Sequence, residues 1–143
     1  MIAILIAVIA GAAYIFLKQS KDDSETKSAE NEIKIGVILG FTGPIESLTP
    51  AMANGAELAI KEVSDSGLLL NGATVVSTRA DGTCIDSAAA ITAAERLITA
   101  EKIDGIMGSD CSGVTGAILS NVALANEMVM ISPAATSPGL SVT

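Results

Sequence analysis

The sequence predicts an α/β protein with a parallel sheet and flanking helices. Short β-rich runs alternate with helical segments along the chain, which calls for right-handed crossovers between parallel strands. The runs are apolar over most of their length, as in strands covered on both faces. Three of the segments that follow strands are rich in Gly, Ser, Thr, Pro and Ala, and this topology brings them to the same edge of the sheet.

The first strand is Ile33-Lys-Ile-Gly-Val-Ile-Leu39, closed by the turn Gly40-Phe-Thr-Gly-Pro44. A helix is expected from about Pro50 to Ser66, since proline is tolerated in a first turn. Met52, Ala56, Ala59, Ile60 and Val63 would form its apolar face, with Gly67 as C-cap. The tight-turn signal Asn71-Gly72 leads to a second strand, Ala73–Arg79. Asp81-Gly-Thr-Cys84 then turns into a helix from about Ser87 to Glu101, with Ile91, Ala94, Leu97 and Ile98 on one side. The third strand is Gly105–Gly108. A helix from about Val114 to Asn126 follows, with Val114, Ile118, Val122 and Ala125 inward, and then a fourth strand, Met128–Ser132. The chain stops in a Pro- and Ser-containing loop with no helix to cover that strand, as expected of the first part of something longer.

Of 143 residues, 50% are hydrophobic, enough for the core of one ordinary domain. Tyr14 and Phe16 lie in the N-terminal apolar run, so Phe41 is the one aromatic of the globular part. A net charge of −8 argues against nucleic acid or an anionic membrane surface as partner. The absence of His removes the commonest general base and metal ligand, which argues against a hydrolytic triad or a zinc site; no cofactor is expected.

Residues Ile2–Leu17 form an apolar run without a charge, short for a spanning helix and long enough for a signal-peptide core. Residues 1–17 are therefore expected to be a signal peptide or membrane anchor. Residues 18–32 are polar throughout and read as a flexible acidic linker. The body, 33–143, is then extracytoplasmic, in the periplasm or at the cell surface, with membrane contact through the N-terminal segment. Cys84 and Cys111 form no CxxC pair, leaving buried thiols or one disulfide as the alternatives. Export favours the disulfide. Each cysteine lies in a loop after a strand, on strands taken as neighbours, so Cα atoms about 4.4–6.8 Å apart are expected.

The loops Gly40–Leu48, Ser109–Gly113 and Pro133–Pro138 offer hydroxyls and backbone groups, with Glu46 and Asp110 the only charges. They suit a small polar ligand held by hydrogen bonds and show no proton-transfer machinery. Ser112 either caps the helix behind it or meets a ligand at its N-terminus. Gly36-x-x-x-Gly40-x-x-Gly43 matches neither nucleotide fingerprint and is set aside.

Ile33-Lys-Ile-Gly-Val37 with Thr42-Gly-Pro44, Asn54-Gly-Ala56 with Ala59-Ile60, Gly108-Ser-Asp-Cys-Ser112 and Ile131-Ser-Pro-Ala-Ala-Thr136 keep a common order and spacing. Together they resemble the substrate-binding proteins of branched-chain amino-acid ABC transporters, which are type I periplasmic binding proteins. The resemblance implies two Rossmann-like lobes that close on a ligand, with 33–143 a partial N-terminal lobe. It implies that the Ser112 hydroxyl and nearby N–H groups, Cys111 among the ligand loop, hold an α-carboxylate with help from the Thr136 N–H. The Ala134 carbonyl and Thr136 hydroxyl would accept from an α-ammonium. Cys84 and Cys111 fall where many members carry a disulfide. Leu48 stands where members often place a large side chain against the ligand. The implied function is that of a non-enzymatic solute-binding component presenting a small amino acid to a membrane permease. The alternative is the ligand-binding ectodomain of a membrane sensor or receptor.

Overall fold

The structure is a computed structural model and describes residues 31–70 and 72–141. The expected signal or anchor at 1–17 lies outside the described residues, as does Asn71. So does the linker at 18–32 except for its last two residues, and Glu32 already belongs to the first strand. Among the described residues no helix is long and apolar enough to cross a membrane.

Four strands form one sheet: β1 (Glu32–Leu39), β2 (Thr74–Asp81), β3 (Gly105–Gly108) and β4 (Val129–Ile131), in the order β2-β1-β3-β4. β1 pairs with β3 in parallel, Ile35 opposite Gly105 and Ile38 opposite Gly108. β3 pairs with β4 in parallel, Met107 opposite Ile131. The period of two along a strand sends alternate side chains to opposite layers. Ile38 and Ile106 join Ala90, Ala94, Leu97, Ile118 and Val122 on one side. Val37 and Leu39 join Ala53 on the other, backed by Phe41, Met52, Ile60 and Met107. Each fully buried Leu, Ile or Val is worth about 1.5–3 kcal/mol by transfer, which is why a core with one aromatic suffices. On the same side as Val37, the sheet beyond the helix cover is bare: Val129 and Ile131 are exposed. With Ile35, Gly105 and Met107 they line an open apolar depression of about 200 Å³.

Helix α1 (Thr49–Ser66) ends at Gly67 with φ 64°, as its sequence predicts. Its buried side differs from the predicted one. Thr49 and Ala53 are buried, Met52, Ala56 and Ile60 are half-buried, and Ala59 and Val63 are exposed. The cause is that α1 packs chiefly on the edge strand β2 and is tied to it by polar groups. Arg79 reaches Glu57 and Asn54, and the Val75 N–H donates to Ser64 Oγ at 2.9 Å. The helix therefore turns its 53–57–60–64 side to the sheet.

Helix α2 (Ser87–Arg96) starts at Asp86, whose Oδ1 accepts from the N–H groups of Ala88 and Ala89 at 3.0 Å each. It continues through a π-helical turn, Leu97–Glu101, and buries Ala90, Ala94 and Leu97 with Ile91 and Ile98 partly covered, on the predicted side. Helix α3 (Ser112–Ile118) runs on through a π-helical turn, Leu119–Ala123, and a 3₁₀ turn, Leu124–Asn126. Val114, Ile118 and Val122 face inward as predicted. The final tightening rotates Ala125 out to solvent, and Ala123 is buried instead.

Candidate functional site

Strand order decides where a ligand has room. From β1 the chain goes out to β2, then returns past β1 to β3 and on to β4. At such a reversal the loops beyond the strand ends part and leave a crevice. Here those loops are Gly40–Leu48 after β1 and residues 109–111 after β3, with residues 132–137 after β4 alongside.

Gly40 is their common anchor. Its N–H donates to both oxygens of Asp110, at 3.2 and 3.1 Å, and its carbonyl accepts from Thr49 Oγ1 at 3.2 Å. The Ser109 hydroxyl donates to Asp110 Oδ1 at 3.1 Å. Asp110 is buried, so its charge is turned into the protein and not offered to a ligand. A Cβ at Gly40 would lie 2.6 Å from the Thr83 carbonyl oxygen, so only glycine fits beneath the turn after β2. Cys84 and Cys111 are bonded, with Cα atoms 5.3 Å apart. Their strands are not neighbours, as the sequence suggested: β1 lies between β2 and β3, and the bond spans the end of β1.

The third loop is held by hydroxyls. Ser132 Oγ donates to the Ser109 carbonyl and accepts from the Ala135 N–H at 2.9 Å. Thr115 Oγ1 donates to the same Ser109 carbonyl at 3.1 Å. Ser112 Oγ accepts from the N–H groups of Thr136 and Ser137, each at 3.1 Å. Ser112 is therefore not the helix cap; Cys111 occupies that position and makes no side-chain cap. With two N–H donors on its oxygen, the Ser112 hydroxyl has its proton left to give. No acceptor among the described residues takes it. The Thr136 N–H, expected to face a ligand, is instead committed to Ser112.

Ser112 and Thr136 thus meet across two loops, and Ala134 is exposed in the same turn. Leu48 is not drawn into this network. It precedes α1 and is 60% exposed, and its backbone bonds, to Ile45 and Met52, are local. Among the described residues no group of three His, Cys, Asp or Glu side chains converges as for a metal ion. What the edge offers is hydroxyls, peptide N–H groups and carbonyls.

Two anchors carry no sequence signal as site residues: Ser132 and Asp81. The local half of Asp81's role is a readable turn, its Oδ1 accepting from the Thr83 N–H at 2.9 Å. The long-range half is not: Asp81 also accepts from the Thr42 hydroxyl at 2.6 Å and its N–H at 3.3 Å. Burial disfavours the charged form of Asp81. The Thr42 hydroxyl and the N–H groups of Thr83, Thr42 and Phe41 outweigh it and hold the carboxyl below its usual range. Ionised Asp81 therefore stabilises the fold fully above the ordinary carboxyl pKa of about 3.9, and this is lost as pH falls through the lowered folded value. In urea denaturation across pH, the deficit of Asp81→Asn against wild type is expected to be largest near neutrality and to shrink below about pH 4. A deficit that stays constant with pH would refute this role for the charge.

A family model described as periplasmic binding protein matches residues 32–142. The chain is 38% identical over 85 residues to Leu/Ile/Val-binding protein homolog 7 of Brucella abortus, covering 59% of this chain and 21% of that protein. It is 32% identical over 113 residues to the Leu/Ile/Val-binding protein BraC3 of Rhizobium johnstonii, covering 79% of this chain and 30% of that one. The fold superimposes on the branched-chain amino acid transporter substrate-binding protein LivJ of Streptococcus pneumoniae, solved with isoleucine. That match has a TM-score of 0.69 at 30% identity, over 77% of this chain and 31% of that one. The chain thus spans less than a third of the length of these proteins.

Proposed function

The chain belongs to the periplasmic binding protein family, and we propose that it supplies part of the N-terminal lobe of a solute-binding protein that delivers a small amino acid, branched-chain in type, or a close analogue, to an ABC permease. The family and its fold neighbours are binding proteins, not enzymes, and their place is outside the cytoplasm. On this reading residues 1–17 export or anchor the chain, 18–32 tether it, and 33–143 begin the ligand-binding lobe.

The observation that supports the reading is the Ser112 hydroxyl. Fixed from two sides by the Thr136 and Ser137 N–H groups, it has a proton to donate beside the first peptide N–H groups of α3. That is a set of donors suited to a carboxylate. The carbonyl of Ala134 and the hydroxyl of Thr136 supply acceptors for an ammonium next to it. Cys111 belongs to the site through the bond that holds this loop, and Leu48 would shape the space for the ligand's side chain. The isoleucine seen with the Streptococcus pneumoniae protein is the natural probe.

A single wall leaves much of a ligand in water, whereas small-molecule sites bury most of it. The test therefore puts residues 32–142 in place of the aligned part of that Streptococcus protein and measures isoleucine binding by calorimetry. Ser112→Ala or Thr136→Ala in the chimera is expected to weaken binding by about one to two powers of ten, the worth of one hydrogen bond to a charged group. Unchanged affinity in both variants would put the site elsewhere.

A further inference from the structure

The loop Gly40–Leu48 forms the first side of the proposed cleft, and its second and third residues, Phe41 and Thr42, are gripped from β2. Residues 79 and 81 lie two apart on that strand and so share a face. Asp81 takes Thr42, as described. Arg79 takes Phe41: its guanidinium carbon lies 5.6 Å from the ring centroid, within the range at which a cation is drawn to an aromatic face. The guanidinium is itself fixed. Nε and Nη2 donate to the two oxygens of Glu57 at 2.6 and 2.7 Å, and Nη2 also donates to Asn54 Oδ1 at 2.7 Å. Glu57 and Asn54 are on α1, directly after the loop. The Arg79 charge bonded to Glu57 holds that carboxyl below its usual range, so the pair is ionised at neutral pH.

We propose that Arg79 is a positioning residue: clamped by Glu57 and Asn54, it fixes the Phe41 ring and with it the loop that forms the first wall of the ligand cleft. This rests on the function proposed above. The clamp needs a planar cation with several donors. Lysine can supply the charge but not the two-pronged bond to Glu57 together with the third bond to Asn54. It also needs an aromatic ring. Phe41 is seated among Val37, Leu39 and Ala53, so movement of the ring is felt at the end of β1. Elsewhere the loop is held at Gly40, by Asp110 and Thr49, and at the Glu46 carbonyl, which accepts from the buried Thr49 hydroxyl at 3.2 Å. Its other backbone bonds, Glu46 to Gly43 and Leu48 to Ile45, are local, so between Gly40 and Glu46 the ties to the rest of the fold come from β2.

The test has two arms. In the full 143-residue chain, amide hydrogen exchange is followed across 41–48 in wild type, Arg79→Lys, Phe41→Leu and Phe41→Trp. Exchange in this loop is expected to speed up by about tenfold in Arg79→Lys and Phe41→Leu, with β3 and α2 unchanged, and to stay near wild type in Phe41→Trp, which keeps a face for the cation. In the chimera, Arg79→Lys is expected to weaken isoleucine binding several-fold and Phe41→Trp to preserve it. Unchanged exchange at 41–48 in Arg79→Lys overturns the clamp whatever the ligand. Faster loop exchange with unaltered isoleucine affinity, where Ser112→Ala does lose affinity, overturns the positioning role and leaves the functional reading standing. If Ser112→Ala loses nothing, the functional reading fails, and the exchange arm alone still decides the clamp.

Discussion

Gly108→Ala is expected to yield no stably folded protein. Gly108 has φ +136°, a conformation that residues with a side chain rarely adopt. A Cβ there would lie 1.9 Å from the carbonyl oxygen of Ile38 and 2.8 Å from its Cγ2. Neither can retreat, because Ile38 is fully buried and paired opposite Gly108 in the centre of the sheet. Relief requires β1 and β3 to part at the point from which both principal loops spring. The backbone conformation alone costs about 1–3 kcal/mol, and separating the strands adds core loss on top of it. The sum approaches the 5–15 kcal/mol that keeps a typical domain folded. Gly105→Ala is the internal control, since a Cβ there meets nothing closer than Ile35 Cδ1 at 3.5 Å. Circular dichroism and urea denaturation of the two variants side by side check the contrast. Equal midpoints would show that the sheet yields at Gly108.

Removing the Cys84–Cys111 bond is expected to cost about 3–4 kcal/mol, from the chain entropy of closing a loop of about 28 residues. Cys84→Ala/Cys111→Ala against the oxidised wild type, in urea, gives the number. The loss is expected to be accompanied by a looser Ser112, since Cys111 is the residue before it and carries no cap that would hold the turn. A difference under about 1 kcal/mol would mean that hydrogen bonds through the end of β1, from the Gly82 N–H to Leu39 and from the Gly40 N–H to Asp110, already hold the two loops together.

The alternation of strand and helix was legible because it lies in local periodicity. The bounds of β3, the C-cap at Gly67 and the inward Leu97 and Ile118 all follow from residues within a turn or two of each other. The placing of Ser112 and Thr136 at one sheet edge is legible in the order of strands and loops; the hydrogen bond between them is not. What escaped the sequence is contact at a distance. The bond from Gly40 to Asp110 joins residues 70 apart, and no periodicity signals that a loop carboxylate will turn inward. The buried face of α1 does not follow its apolar spacing, because Glu57, Asn54 and Ser64 tie that helix to β2 through polar groups. The pairing of Cys84 with Cys111 and their Cα separation agree with expectation, but their strands are not neighbours, because strand order is set by crossovers and not by the sequence next to either cysteine.

The bridge across the end of β1 has a further consequence, for how the molecule opens. Loops on both sides of that strand are joined covalently, so its carboxyl end is braced against fraying, and the Gly40 amide, bonded to Asp110, is expected to be among the slowest to exchange. β4 is the opposite case. It has three residues, two of them exposed, and a single partner among the described strands. Free energies of local opening should therefore fall steadily across the sheet from β1 to β4. Ser112 sits beyond β3, beside the bridge, and Thr136 beyond β4, so the hydrogen bond from the Thr136 N–H joins the braced middle of the sheet to its most readily opened strand.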